Sequence, residues 1–256
     1  MIWLIGGTSE SVVAAKLILE LNLPLIISVT TEKARQLYPS NSNNSQYQIF
    51  VGKLSALDLP FFLNQYSIDR VIDCSHPFAV EISNLAIETC LHFEIPYIRY
   101  ERPLITYQSP LITYVDSWES LVGVDSPLIN KKVLLTIGAK NLPLFSNFHE
   151  QATLFCRLLP YPRSLEIAYE SGFSCDRIIA IRPPLNMEME KALWQLWDIE
   201  VVVTKAGGKG GGEDIKYQTA QELNIPVIVM TRPHINYPQV IQDFNLIKQY
   251  LINYYN

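Results

Sequence analysis

Four cysteines are too few and too far apart to staple this chain. Cys74, Cys90, Cys156 and Cys175 include no CxxC pair, so the sequence predicts reduced thiols in the cytoplasm, not a disulfide framework or a thiolate zinc site. Histidine is as scarce, and His76, His92, His149 and His234 show no metal-ligand spacing, so no metal is expected. Positive charge is in deficit. Lys and Arg number 20 against 25 Asp and Glu, a net charge of −5, which supplies no general field for nucleic acid. No apolar run approaches the ~20 residues that cross a bilayer. Met1–Ile5 reads as a strand and not as a secretory leader, so no membrane association is expected. Whole motifs are missing too. There is no Tyr-x-x-x-Lys couple of the short-chain dehydrogenases, no G-x-S-x-G elbow, and no complete G-x-G-x-x-G or P-loop.

What remains is an apolar chain, 48% hydrophobic over 256 residues, in which strand-like runs alternate with helical spacing. The pattern predicts an α/β fold of two Rossmann-like, doubly wound parallel sheets with a cleft between them. Residues 1–103 form the expected dinucleotide-binding half, 104–125 a connection, and 126–256 the second half with a C-terminal helix across 238–254. Residues 39–48, rich in Ser and Asn, read as an exposed loop. Pro77 suits the first turn of a helix running to about Phe93.

Candidate chemistry gathers where strands end, the edge at which open parallel sheets bind ligands. After the first strand, Gly6-Gly-Thr-Ser9 suits a pyrophosphate: glycines let the backbone approach, and Thr8 and Ser9 can cap the following helix. Ser11 stands about where a third glycine would help helix and strand to pack. After the second strand come Thr30, Thr31, Lys33 and Arg35, a hydroxyl pair followed by cations. That favours the 2′-phosphate of NADPH, while Glu32 keeps NADH open. Between a buried strand and a helix, Asp73-Cys-Ser-His-Pro77 places a carboxylate beside an imidazole. Asp73, Ser75 and His76 are the catalytic candidates, against the plainer role of capping a helix.

Five of the eleven glycines fall between Lys205 and Gly212, in a turn that leads into a helix. Lys205, Gly207, Gly208 and Lys209 therefore suggest an anion cradle, against the alternative of a merely flexible loop. Lys140 follows Gly138 in a similar strand–glycine–lysine layout, and Arg99 and Arg232 also stand near strand ends. Cations repeated at one kind of position, in an acidic protein, imply a small polyanionic ligand.

Taken together, Gly6-Gly-Thr-Ser-Glu10, Asp73-Cys-Ser-His-Pro-Phe-Ala79, Arg99-Tyr-Glu-Arg-Pro103 and Thr204-Lys-Ala-Gly-Gly208 resemble the precorrin-6A reductases of cobalamin biosynthesis, in order and over nearly the whole chain. The resemblance implies a pyridine-nucleotide-dependent reduction of one ring double bond in a polycarboxylate tetrapyrrole macrocycle, with or without cobalt. It places the phosphates at Gly6, Gly7, Thr8 and Ser9. It puts Ser75, His76 and Pro77 beside cofactor and macrocycle, and Lys205, Gly207, Gly208 and Lys140 against the substrate. Cys74, Ser75, Ala206 and Lys209 depart from the family pattern. A monomer or small homo-oligomer is expected. The rival functions are a dinucleotide-binding sensor without turnover and a reductase of another acidic small molecule.

Overall fold

The computed structural model describes residues 1–39, 46–183 and 185–255. Most of the Ser- and Asn-rich loop expected at 39–48 lies outside them. The chain runs β1 (Ile2–Ile5), α1 (Ser9–Glu20), β2 (Leu25–Val29), α2 (Glu32–Arg35), β3 (Tyr47–Val51), α3 (Asp58–Gln65), β4 (Arg70–Asp73), α4 (Val80–His92) and β5 (Tyr97–Tyr100). It continues through β6 (Ile112–Val115), β7 (Lys132–Leu135), β8 (Thr153–Leu158), α5 (Pro162–Glu170), β9 (Ile178–Ala180), α6 (Met187–Leu196), β10 (Val201–Lys205), α7 (Glu213–Leu223) and β11 (Val227–Met230). It closes with β12 (Val240–Ile241) and α8 (Phe244–Tyr255).

Two compact units result: residues 1–103 with 233–256, and residues 104–232. Each holds one six-stranded parallel sheet, ordered β12-β5-β4-β1-β2-β3 in the first and β6-β11-β10-β7-β8-β9 in the second. Counted from β1 and from β7, the first five strands of each sheet share one order, 5-4-1-2-3. Only the edge strand beyond the fifth differs in origin: β12 in the first sheet, and β6, which precedes β7, in the second. In both, the winding reverses beside the first strand, which puts a topological switch point between β1 and β4 and another between β7 and β10. The central strands are buried on both faces, as the runs Ile2–Ile5 and Val201–Thr204 require of parallel sheets. Helices lie close because the faces they bury are mostly small: Ser11, Ala14 and Ala15 of α1, beside the larger Ile18, and Ser83, Ala86 and Cys90 of α4.

The structure corrects the expected bounds of several elements. Residues 233–256 join the first unit: Arg99 donates its amide to Gln239, β12 extends the first sheet, and Ile247 and Leu251 of α8 enter the cluster that holds Ile18. Within the expected connection, Ile112–Val115 forms the edge strand of the second sheet. The run from Pro238 is not one helix. Val240–Ile241 pairs as a strand, and Asp243 then accepts the Asn245 amide at 2.8 Å, capping α8. After β4, α4 starts at Val80 and not at Pro77, because Nδ1 of His76 accepts the Phe78 amide at 3.2 Å and shapes a separate turn. Beyond Gly138, Ala139–Phe148 is a 3-10 helix with Pro143 inside it, a residue that an α-helix interior excludes.

Candidate active site

At the first switch point, Gly6 and Gly7 leave β1 while Cys74–Pro77 leaves β4. Thr8 joins the two turns: its Oγ1 donates to the Cys74 carbonyl at 2.7 Å and accepts the Ser11 amide at 3.1 Å. Ser11 answers by accepting the Thr8 amide at 3.0 Å, completing a capping box on α1. Gly6 is required for packing, since a Cβ there would come within 2.8 Å of Ile27 Cγ2 and overlap the Tyr38 hydroxyl. Gly7 is different: its φ is +99°, and nothing stands within 4 Å of the place a Cβ would take. Open space over a left-handed glycine at a helix N-terminus fits a pyrophosphate. Glu10 shares this end of α1, with Ser9 Oγ donating to it at 2.9 Å and Arg102 pairing with it at 2.8 Å.

Thr30 and Thr31 follow β2, next to β1 in the sheet. Thr31 caps α2 by accepting the Ala34 amide at 3.1 Å, and Arg35 reaches Glu32 at 3.5 Å. Lys33 and Arg35 are exposed.

Asp73 ends β4 and is wholly buried. One carboxylate oxygen accepts the Ser75 amide at 2.8 Å and Arg99 Nη1 at 2.9 Å. The other accepts Ser83 at 2.6 Å and the Tyr97 hydroxyl at 2.5 Å. Four donors fill the capacity of an ionised carboxylate. Arg99, also buried, donates to Ser75 Oγ at 3.0 Å and to Glu101 at 2.9 Å, and lies over the Tyr237 ring. Its own burial pulls its pKa down, but Asp73 and Glu101 outweigh that and raise it. Burial, and then the Asp73 charge, push the Tyr97 phenol far up, so it remains a donor. Asp73 and Arg99 thus serve each other and hold the Ser75 turn. His76 is exposed, and its ring is not among the donors to Asp73. With Nδ1 accepting from Phe78, the neutral ring carries its proton on Nε2. Pro77 beside it is buried.

At the second switch point, Gly138 follows β7 at φ +80°, and a Cβ there would stand 3.9 Å from Lys205 Nζ. That ammonium lies 6.0 Å from the centre of the Trp118 ring. Burial first, and the neighbouring Lys140 second, bring Lys205 down to about 8. Lys140 itself is exposed.

The glycine turn is closed by its own side chains. Glu213 accepts the Gly208 amide at 2.6 Å and is bonded by the Tyr217 hydroxyl. Lys216, buried, donates to the carbonyls of Gly211 at 2.8 Å and Gly212 at 3.2 Å. Burial and, next, Arg157 bring Lys216 down to about 8. A carboxylate already occupies the N-terminus of α7, where an anion cradle on this loop would hold its ligand. Arg232 Nε donates to the Ala206 carbonyl at 2.9 Å, tying the end of β11 to the same turn, while Lys209 is exposed. Gly207 closes a tight turn by donating to the Lys205 carbonyl at 2.7 Å.

Sequence reasoning missed Tyr38, Ser83, Tyr97, Glu101, Trp118, Glu213 and Tyr237. Only Tyr38 left a trace, in the absent third glycine. Among the described residues no cluster of His, Cys, Asp or Glu could hold a metal, and no helix is long and apolar enough to cross a membrane.

Two parallel sheets of one winding, each with a glycine turn at its switch point, define a double Rossmann-like α/β protein. The same architecture is found in the solved structure of CobK precorrin-6A reductase, at a TM-score of 0.77 and 23% identity over 98% of this chain and 96% of that one. The family described as "Precorrin-6x reductase CbiJ/CobK" matches residues 1–251. A cobalt-precorrin-6A reductase of Synechocystis sp. is 39% identical, covering 97% of this chain and 95% of that protein. Another, of Priestia megaterium, is 31% identical over 99% and 98%. The chain belongs to the precorrin-6x reductase family. It is accordingly a pyridine-nucleotide-dependent reductase of cobalamin biosynthesis, acting on a carbon–carbon double bond of a corrin precursor.

Proposed function

We propose that this protein reduces cobalt-precorrin-6A to its dihydro product in the cytoplasm, with NADPH as reductant. The observation that carries the substrate is the 39% identity to a cobalt-precorrin-6A reductase along 97% of the chain. Lys33 and Arg35 just after Thr31 support a 2′-phosphate at the ribose end. Cys74, Cys90 and Cys156, all free thiols inside the protein, support a reducing compartment.

The pyridine nucleotide, when bound, supplies the hydride. The open space over Gly7 and the N-terminus of α1 receive its pyrophosphate, with Thr8 keeping that turn against the Cys74 strand end. Asp73 and Arg99 are positioning residues: their buried pair fixes Ser75 and so the turn that carries His76. His76 presents Nε2–H as a hydrogen-bond donor that polarises the macrocycle. A proton placed on Nδ1 displaces the Phe78 amide, so the ring favours polarisation over proton delivery. Lys205, with Lys140 beside it, pairs with macrocycle carboxylates. The glycine loop shapes this position, and Glu213 keeps its anion site filled.

The test supplies NADPH or NADH with metal-free or cobalt-containing precorrin-6A to the purified protein. Turnover with cobalt-precorrin-6A and NADPH, seen in the macrocycle spectrum together with nucleotide loss, is the expected result. Faster reduction of the metal-free ring overturns the cobalt assignment, and a preference for NADH overturns the reading of Lys33 and Arg35. Nucleotide binding without turnover in any combination replaces the enzyme reading with a sensor.

A further inference from the structure

The first switch point has an unusual feature in Tyr38, three residues beyond α2, whose buried hydroxyl reaches under the glycine turn. It accepts the Gly7 amide at 2.8 Å and lies 2.6 Å from Ser11 Oγ. The direction of the second bond follows from proton counting. Ser11 has one hydroxyl proton and gives it to the Thr8 carbonyl at 2.6 Å, so Tyr38 is the donor to Ser11. Burial raises the Tyr38 phenol above its ordinary range, so both roles persist across the working pH.

In a G-x-G-x-x-G turn the third glycine makes room for the helix to approach the strand. Here the third place is taken by Ser11, fully buried, and its polar atom is satisfied only because Tyr38 and Thr8 surround it. The same arrangement turns the Gly7 amide inward to Tyr38 and the Thr8 amide inward to Ser11. Of the amides at the start of α1, those of Ser9 and Glu10 are left outside this network among the described residues. We infer that Tyr38 is a positioning residue for the nucleotide: its hydroxyl replaces the third glycine as the lock on the turn, and it shifts pyrophosphate contact to the amides of Ser9 and Glu10. The inference rests on the reading of residues 6–9 as the nucleotide turn.

The test is calorimetric binding of NADPH to the wild type and to Tyr38→Phe, beside adenosine 2′-phosphate, which has the ribose end without the pyrophosphate. Loss of one buried hydroxyl with two partners raises the NADPH Kd about five- to tenfold. Adenosine 2′-phosphate, read by displacement of NADPH, keeps its Kd within about twofold. A Tyr38→Phe protein that binds NADPH as the wild type does overturns the inference. So does an equal loss for both ligands, which marks general loosening. If Tyr38→Phe fails to fold by thermal melting, Ser11→Ala removes the acceptor instead and is read in the same way. Failure of the underlying reading looks different: the wild type itself then binds no NADPH, and the inference falls with it.

Discussion

Raising the pH should switch off Lys205 as a substrate contact. Its ammonium has been brought down to about 8 by burial and by Lys140. About nine in ten molecules carry the charge at pH 7 and about one in ten at pH 9. If Lys205 pairs with a macrocycle carboxylate, KM rises about tenfold between those values at saturating nucleotide. The bound carboxylate favours the protonated amine, so the change falls on KM and leaves kcat nearly flat. Lys205→Arg keeps a charge that does not titrate and moves the limb beyond the measured range. Lys205→Met holds a raised KM at every pH. Stability provides a second readout with its own sign. The folded pKa lies below the unfolded 10.5, so between about 8 and 10.5 the unfolded chain binds the extra proton. Wild-type stability therefore gains over that window, and the burial cost is fully present below pH 8. Lys205→Met removes that cost, on the order of 3 kcal/mol at pH 7, and loses its advantage towards pH 10. A wild-type KM that stays level to pH 9.5, or a rise that survives in Lys205→Arg, refutes the reasoning.

Two further expectations concern the first unit. Asp73→Ala leaves Arg99 buried without its main partner and costs about 3–5 kcal/mol in urea unfolding; a cost below about 1 kcal/mol removes Asp73 from its place as organiser of the turn. His76→Gln retains a side-chain N–H donor and should lose less kcat than His76→Ala, with nucleotide Kd unchanged in both. Equal and near-normal rates in the two variants contradict polarisation by His76.

The winding of both sheets was legible because buried parallel strands are continuous apolar runs, and because glycine, threonine and proline punctuate them locally. The turns at Gly6 and Lys205 could be read for the same reason: their chemistry is contiguous in the chain. Legibility failed where a local pattern was overridden. The apolar spacing from Pro238 suggested one helix, but the edge of β5 offered Val240–Ile241 a strand partner, and backbone pairing won. Pro77 looked like a helix start until the His76 ring claimed the Phe78 amide.

Asp73 and His76, three residues apart, looked like a couple, yet one faces the interior and the other is exposed. By itself the sequence determined the alternation of elements, the switch-point turns and the family, all carried by short-range pattern. Only the tertiary structure decided what each charged group serves. Arg99 belongs to Asp73 and Glu101, and Tyr38 belongs to a turn 31 residues earlier. Glu213 fills the glycine loop that a ligand was expected to fill. These partnerships follow from which strands lie side by side and from burial, which makes every polar group inside the protein find a partner.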